Sequence, residues 1–282
     1  MCRWLAYLGT PIFLSRLIFE PKNSLIDQSL HARQSVATTN GDGFGIGWYD
    51  AQPVPGVFRD VLPAWNDENL RSIAEQIRSG LFLAHVRAST GTVTSRQNCH
   101  PFRQGRWLFM HNGQIGGYEA LRHRLETMIP AELYRHRFGT TDSEAMFLLA
   151  LGYGLDSDPA TALARTVGTV ETLMAEAGIE RPLRISCALT DSTRILALRY
   201  SSDGRSPSMY LGRNYDAFAE AGIAEAATRP GLLVLSEPLD DVGEHWEPVA
   251  ESSLVIAGPE GTEVLAFCPQ RPRKGVKAPS RR

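Results

Sequence analysis

The sequence of 282 residues lacks the features that mark membrane, secreted and nucleic-acid-binding proteins. No apolar run approaches the roughly 20 residues of a membrane-spanning helix, and the start of the chain lacks a basic stretch followed by a long apolar one. The net charge is -2, which indicates no general attraction to nucleic acid or to a membrane surface. We therefore expect a globular protein with neither nucleic-acid nor membrane partners.

Cysteine is also scarce. The four cysteines, Cys2, Cys99, Cys187 and Cys268, are widely spaced and form no CxxC pair. This spacing argues against a zinc ribbon and against a disulfide framework, and it favours a reducing, cytoplasmic location.

What is present is an ordinary globular composition, 43% hydrophobic and 21% charged, which is enough for a sizeable core. The pattern runs from strands through central helices to strands again, which favours two sheets packed between helices over an alternating parallel sheet. The first strand is predicted to run from Cys2 to Leu8 and to end at Gly9-Thr10-Pro11. We expect one domain over residues 1–269 and a basic, disordered tail over 270–282.

Cys2 is the first candidate for chemistry, because it directly follows the initiator methionine. Removal of Met1 would leave a thiol and a free α-amine on one residue. An α-amine has a reference pKa of about 7.7–8.0, so part of it is unprotonated and basic near neutral pH. Nucleophile and general base would then come from the same residue, as in N-terminal nucleophiles. Taken alone, Cys2 could equally be an early residue of the first strand.

Further along, the chain carries the groups that hydrolysis of a γ-glutamyl amide needs. Arg87 ends a predicted strand and suits a carboxylate, while Asp142 at a predicted helix start suits an ammonium group. Asn112-Gly113 follows another predicted strand and offers a side-chain amide and an unhindered backbone N–H for an oxyanion. Each also has a purely structural alternative: a surface ion pair for Arg87, a helix N-cap for Asp142 and a hairpin turn for Asn112-Gly113.

Together these motifs resemble a known family. Their order and spacing match the glutaminase domain of class II glutamine amidotransferases, which are N-terminal nucleophile hydrolases. The matching motifs are Met1-Cys2, Ala84-His85-Val86-Arg87 with Thr90, His100-Pro101, His111-Asn112-Gly113 and Thr141-Asp142-Ser143-Glu144. The remainder, including Ser236-Glu237-Pro238, resembles the small stand-alone branch that includes the ergothioneine-pathway γ-glutamyl hydrolase.

The resemblance implies an α+β fold, a four-layer αββα sandwich of the N-terminal nucleophile hydrolase type. It also implies a role for each matched residue: Cys2 as nucleophile, Asn112 and Gly113 as oxyanion hole, and Arg87, Thr90 and Asp142 as ligands of the glutamyl group. The reaction would pass through a glutamyl thioester and would need no metal or organic cofactor.

Several other residues bear on this interpretation. Asn40 stands where larger family members carry an arginine, and Ala88 stands where they commonly carry an aromatic residue, so the pocket beside the leaving group could differ. His85 and His100 are predicted to support loops, and His111 to orient the oxyanion loop. Cys99 is the rival thiol, because it is adjacent to His100.

The small-molecule substrate stays open between glutamine and a larger γ-glutamyl amide, such as the sulfoxide handled by the ergothioneine-pathway hydrolase. If ammonia is released, a separate synthase chain could accept it. Two interpretations from other classes also remain. One is a non-catalytic glutamine sensor, which would need only Arg87 and Asp142, and the other is a module that recruits partners through the basic tail.

Overall fold

The computed structural model describes residues 2–34, 39–89, 91–212 and 231–272. Its strands are β1 (Arg3–Phe13), β2 (Phe44–Trp48), β3 (Gly56–Asp60), β4 (Arg78–Val86), β5 (Phe102–Gln104), β6 (Trp107–Ile115), β7 (Leu183–Thr190), β8 (Ile195–Ser201), β9 (Tyr210–Gly212), β10 (Leu232–Leu235), β11 (Trp246–Pro248), β12 (Ser253–Gly258) and β13 (Gly261–Ala266). Its helices are α1 (Ser15–Ile18), α2 (Leu25–Leu30), α3 (Glu68–Gln76), α4 (Tyr118–Glu126), α5 (Ala131–Tyr134), α6 (Asp142–Gly152) and α7 (Pro159–Glu176). Among these helices none has the length and apolar character needed to cross a bilayer.

The strands form two antiparallel sheets. The first sheet has the order β11-β9-β10-β1-β4-β2-β3, with β1 between β10 and β4. The second has the order β13-β12-β8-β7-β6-β5. Because Arg3 pairs with Val86 across β1 and β4, Cys2 and Arg87 lie at the same edge of the first sheet.

Three apolar clusters explain how the sheets and helices pack. One cluster joins side chains of both sheets, such as Trp4 and Leu83 from the first with Met110 and Ala197 from the second. A second cluster packs helices α1–α3 on the first sheet, and a third packs α4, α6 and α7 on the second. The fold is therefore α+β, with two antiparallel sheets and helices, as the sequence predicts.

Two strand boundaries differ from the prediction. β1 does not end at Gly9-Thr10-Pro11 but continues to Phe13, and a shift in its register against β4 between Leu8 and Ile12 absorbs the turn-like residues. β6 does not end at His111 but continues to Ile115, so Asn112-Gly113 lies inside a strand rather than in a turn after it. In both cases pairing with neighbouring strands outweighs a local turn signal.

Two aspartates fix a helix start and a hairpin through local hydrogen bonds. Asp67 caps α3 by accepting the Leu70 N–H at 2.7 Å, and Asp191 accepts the Thr193 N–H in the β7–β8 hairpin. At the end of the described chain, the Gln270 N–H donates to the Ala164 carbonyl of α7 at 2.9 Å. The rest of the predicted tail, residues 273–282, lies outside the described residues.

Candidate active site

A cavity of about 500 Å³ opens at the edge where β1, β4, β6 and the start of α6 meet. Its lining contains five of the six residues that the sequence predicts for the site, while Thr90 lies outside the described residues. The lining residues are Cys2, Arg87, Ala88, Ser89, Thr92, His100, His111, Asn112, Gly113, Gln114, Thr141, Asp142, Ser143, Arg184 and Pro207. The structure thus brings together predicted site residues that lie far apart in the sequence, up to the 140 positions between Cys2 and Asp142.

Cys2 immediately precedes β1, and its half-buried side chain lines the cavity. Its Sγ lies 3.6 Å from the Ala88 carbonyl oxygen. Burial raises the pKa of the Cys2 thiol, against the opposing effects of the Ala88 contact and of the nearby Arg87 charge. The thiol therefore favours its protonated form and needs a base to become a nucleophile.

The rival thiol is placed differently. Cys99 is fully buried, and its Sγ points to the carbonyl oxygens of Asp60 and Ser95, at 3.4 Å each. Burial raises its pKa to about 11. Cys99 is absent from the cavity lining, so its adjacency to His100 in the sequence does not produce a reactive pair.

Arg87 is 3% exposed and projects into the cavity from the end of β4. Its Nη1 donates to the Asp42 carbonyl at 3.1 Å, and its Nη2 donates to Ser89 Oγ at 3.2 Å and to Thr92 Oγ1 at 2.6 Å. All of these acceptors are neutral oxygens, and in the described chain no carboxylate pairs with Arg87. The surface ion-pair alternative is therefore wrong, and the guanidinium is held in place with its charge available to an anion.

Asn112 and Gly113 face the cavity from within β6. Asn112 is 1% exposed, yet within the described residues neither its Nδ2 nor its Oδ1 has a hydrogen-bond partner. Buried amides are normally satisfied, so an unpaired one that lines a cavity suits the binding of a polar ligand group. At Gly113 φ is 155°, and a Cβ there would collide with the Arg184 carbonyl, so only glycine fits this strand position.

Asp142 is the first residue of α6, while the N-cap is Thr141, whose side chain accepts the Glu144 N–H at 3.2 Å. The N-cap alternative for Asp142 is thus wrong. Asp142 Oδ2 accepts the Ile115 N–H at 2.8 Å, and Oδ1 accepts the Ser143 N–H at 2.8 Å. The carboxylate is fixed between β6 and α6, where it borders the cavity.

Three buried histidines belong to the site: His100 and His111 line the cavity, and His85 lies next to them. The His85 Nε2–H donates to the His111 carbonyl at 3.3 Å, which joins the two sheets, and the His85 and His100 rings are 4.3 Å apart. His111 Nδ1 lies 2.8 Å from Ser143 Oγ. Burial lowers the pKa of His111 and that of His100, and it lowers the pKa of His85 to about 3. All three rings are therefore neutral near pH 7, which suits structural support of the loops better than acid catalysis.

Sequence reasoning missed two sets of residues. Ser89 and Thr92, which hold Arg87, lie two and five positions after it in the chain and could have been found as hydroxyl partners of a binding arginine. Arg3 and Glu237 form a buried ion pair beside Cys2, at 2.9 Å. They are 234 positions apart, so no local pattern could have connected them.

Comparison with known proteins finds a family and relatives that this chain resembles. The family model "Glutamine amidotransferases class-II" matches residues 21–188, a span that contains Arg87, Asn112, Gly113 and Asp142. The probable glutamine amidotransferase DUG3 of Saccharomyces cerevisiae is 33% identical over 90% of this chain and 81% of its own length. The γ-glutamyl-hercynylcysteine sulfoxide hydrolase of Mycolicibacterium smegmatis is 30% identical over 90% of this chain and 95% of its own length.

Solved structures give the same result. A glutamine aminotransferase class-II domain protein from Silicibacter pomeroyi superimposes with a TM-score of 0.72 at 39% identity, over 95% of this chain and 100% of that one. The glutamine phosphoribosylpyrophosphate amidotransferase of Bacillus subtilis has a TM-score of 0.63 at 14% identity, over 94% of this chain and 49% of that one. The second likeness concerns the fold alone.

Proposed function

Because this chain belongs to the class II glutamine amidotransferases, we propose that it hydrolyses the γ-amide of glutamine or of a γ-glutamyl amide through Cys2 as an N-terminal nucleophile. It is an enzyme of that class. The products would be glutamate and either ammonia or an amine. One observation carries the assignment of the site: the buried Asn112 amide, unpaired among the described residues, lines the same cavity as Cys2 and Arg87.

The glutamyl group would be held at its α-carbon by opposite charges. The Arg87 guanidinium takes the α-carboxylate, because its described partners are neutral and leave its charge uncompensated. Asp142 takes the α-ammonium, and Thr90 stays a predicted further ligand on the strength of the family motif alone. These contacts direct the side-chain amide carbon towards the thiol, which lowers the entropic part of the barrier.

The first chemical step forms the thioester. We propose that Met1 is removed and that the freed Cys2 amine, through a water molecule, takes the thiol proton while Sγ attacks the amide carbon. Asn112 Nδ2 and the Gly113 N–H stabilise the resulting oxyanion. The carbon–nitrogen bond then breaks, and the protonated amine returns its proton to the departing nitrogen.

The second step hydrolyses the thioester. The Cys2 amine takes a proton from a water molecule, whose oxygen attacks the thioester carbon and forms a second oxyanion in the same hole. Collapse of this intermediate releases glutamate and returns the proton to the thiol. The raised pKa of the buried thiol supports a mechanism in which the base acts during attack, rather than one with a stable thiolate.

Two structural expectations belong to the same proposal. The three apolar clusters, which lie between the sheets and on their outer faces, support the four-layer αββα sandwich. We take residues 1–269 as one catalytic domain. If ammonia is the product, we propose that a separate synthase chain accepts it.

A γ-glutamyl amide larger than glutamine is a second candidate substrate. A cavity of about 500 Å³ lies within the roughly 300–1,000 Å³ typical of sites for drug-sized ligands. Ala88 is small and 8% exposed, and it lines the cavity at a position where larger family members commonly carry an aromatic residue. A relative named for hydrolysis of a γ-glutamyl sulfoxide covers 90% of this chain, which also favours this candidate.

The first test is the intact mass of the purified protein, with and without a thiol-reactive glutamine analogue. We expect loss of Met1 and a single adduct on Cys2. An intact Met1 with no adduct would contradict the proposal and favour the glutamine sensor, which should bind glutamine without turnover. Steady-state rates with glutamine and with bulkier γ-glutamyl amides then separate the substrates, since a strong preference for glutamine with release of ammonia would exclude the larger amide.

A further inference from the structure

The segment that follows β10 is attached directly to the residues next to Cys2. The Trp4 N–H donates to Ser236 Oγ at 2.9 Å, and the Ser236 N–H donates to the Trp4 carbonyl at 3.0 Å. β1 and β10 pair from Leu5 and Leu235 onwards, so Ser236 continues this pairing at the strand ends. Glu237 is therefore placed opposite Arg3.

Arg3 and Glu237 form an ion pair that is almost fully removed from solvent. Their side chains are 0% and 2% exposed, and Arg3 Nε lies 2.9 Å from Glu237 Oε2. The same carboxylate accepts the backbone N–H groups of Arg33 and Gln34 at 3.0 Å each, and Asn23 Nδ2 lies 3.4 Å from it. The carboxylate is thus fully satisfied and rigidly held.

The guanidinium in turn holds the backbone of the nucleophile. Arg3 Nη1 donates to the Cys2 carbonyl at 2.9 Å, which gives a continuous chain of contacts from Glu237 through Arg3 to Cys2. Burying such a pair is expensive, and a well-packed apolar pair is often as stable. A contribution to stability is therefore a weak explanation for this pair, and its contact with Cys2 suggests another.

We infer that Arg3 and Glu237 are positioning residues for Cys2, which fix the backbone from which its thiol and α-amine project. This inference rests on the proposed function. Chain termini are usually poorly ordered unless they are tied down, and after removal of Met1 no residue precedes Cys2. The charge-assisted hydrogen bond from the Arg3 side chain to the Cys2 carbonyl can hold Cys2 in place. Catalysis requires such restraint, because a misplacement of about 1 Å can cost about a hundredfold in rate.

The test compares variants in which Cys2 is exposed as the N-terminus by cleavage of a removable leader, so that all of them start identically. The double variant Arg3→Met/Glu237→Gln removes both charges and leaves one amide oxygen, which can accept one of the two backbone N–H groups that Glu237 holds through its two oxygens. We expect it to melt cooperatively, to keep KM for glutamine within about threefold and to lose about a hundredfold in kcat. A purely structural role would lower the folded fraction and leave kcat per folded molecule unchanged, which would overturn the inference.

Arg3→Lys is the conservative variant and decides the question if the double variant does not fold. Its ammonium can pair with Glu237 but lacks the planar fork that also reaches the Cys2 carbonyl. We expect kcat between those of the wild type and the double variant, with KM unchanged. A wild-type kcat would overturn the inference. Asp191→Asn is the matched control, because Asp191 is 3% exposed and pairs with Arg194 in a hairpin outside the cavity lining, so it should change stability only.

Alkylation of Cys2 by iodoacetamide provides a readout that needs no glutamyl substrate. Peptide mass mapping follows the alkylation of Cys2 over time. We expect the double variant to differ from the wild type in the rate of this alkylation and in the dependence of that rate on pH. If the wild type proves unable to turn over glutamine or any γ-glutamyl amide, the proposed function fails while this difference still supports positioning. Identical alkylation profiles, together with identical kcat, would overturn the inference and leave the proposed function intact.

Discussion

The two sides of the cavity are held by different kinds of contact. On the nucleophile side (Cys2, Arg3 and Glu237), the contacts join residues 234 positions apart. On the clamp side (Asn112, Asp142 and Glu144), the side-chain contacts span fewer positions: 27 for the contact of Asp142 with Ile115, and three for the Thr141 cap on Glu144. The clamp side is therefore held by shorter-range contacts, whereas the nucleophile side depends on two segments from opposite ends of the described chain.

Both sides also contain a buried arginine, but the charges around it differ. Arg137 on the clamp side lies between the two carboxylates Glu126 and Glu144 and is 4% exposed. Glu144 also accepts the Gly139 N–H at 2.8 Å, so this network organises the loop that leads into α6. On the nucleophile side one arginine meets one carboxylate, and a second hydrogen bond of its guanidinium goes to the Cys2 carbonyl. The first network orders a loop, and the second reaches the reacting residue.

Cys2→Ala should have the largest effect, because it should abolish turnover and leave binding of glutamine intact. It removes the nucleophile and leaves the clamp side untouched, so we expect turnover to fall by at least about 10⁴-fold, as for other nucleophile deletions. Binding of glutamine, measured by calorimetry, should persist because Arg87 and Asp142 remain. Cys99→Ala is the matched control and should turn over normally, since Cys99 lies outside the cavity lining. Comparable turnover in Cys2→Ala and the wild type would contradict the assignment.

Asn112→Ala should reduce stabilisation of the transition state and leave binding of the substrate almost unchanged. Loss of one oxyanion donor typically costs roughly 2.7–4 kcal/mol, so kcat should fall by about a hundred- to a thousandfold. KM should change little, because the Asn112 amide has no described partner before the oxyanion forms. Steady-state kinetics test this, with the exposed Asn66→Ala as control. A rise in KM with kcat unchanged would instead make Asn112 a binder of the ground state.

Arg87→Lys should chiefly weaken binding of the substrate. A lysine keeps the charge but loses the fork that is held by Ser89 and Thr92 and that we propose contacts the α-carboxylate. Hydrogen bonds to charged groups contribute about 1.5–3 kcal/mol, so KM should rise by roughly ten- to a hundredfold, with a smaller change in kcat. Arg78→Lys, an exposed arginine of the same strand, should leave both constants unchanged. A fall in kcat at constant KM would place Arg87 in the chemistry instead.

The same comparison explains what the sequence could predict. Thr141-Asp142 and Asp67 announce helix starts because capping is local chemistry, and Cys2, Arg87 and Asn112 stand in motifs whose spacing carries the family resemblance. The sequence predicts that Asn112-Gly113 follows a strand, whereas pairing with β7 keeps β6 extended through both residues, so the hairpin-turn alternative is wrong. The partnership of Arg3 and Glu237 was out of reach, since it follows from the pairing of β1 with β10.

His85, whose ring joins the two sheets, should make the free energy of unfolding depend on pH. The pKa of His85 is lowered to about 3, chiefly by burial, whereas an unfolded histidine titrates near 6.5. Below pH 6.5 the unfolded chain therefore binds a proton that the folded chain does not, so stability is lost as pH falls, by at most about 1.4 kcal/mol per pH unit for this residue. Urea unfolding at pH 5 and pH 6 measures the slope. We expect His85→Gln, which can keep the hydrogen bond to the His111 carbonyl, to reduce the slope by about that amount. The exposed His123→Gln should leave it unchanged, and parallel slopes for both variants and the wild type would show that His85 is protonated in the folded protein.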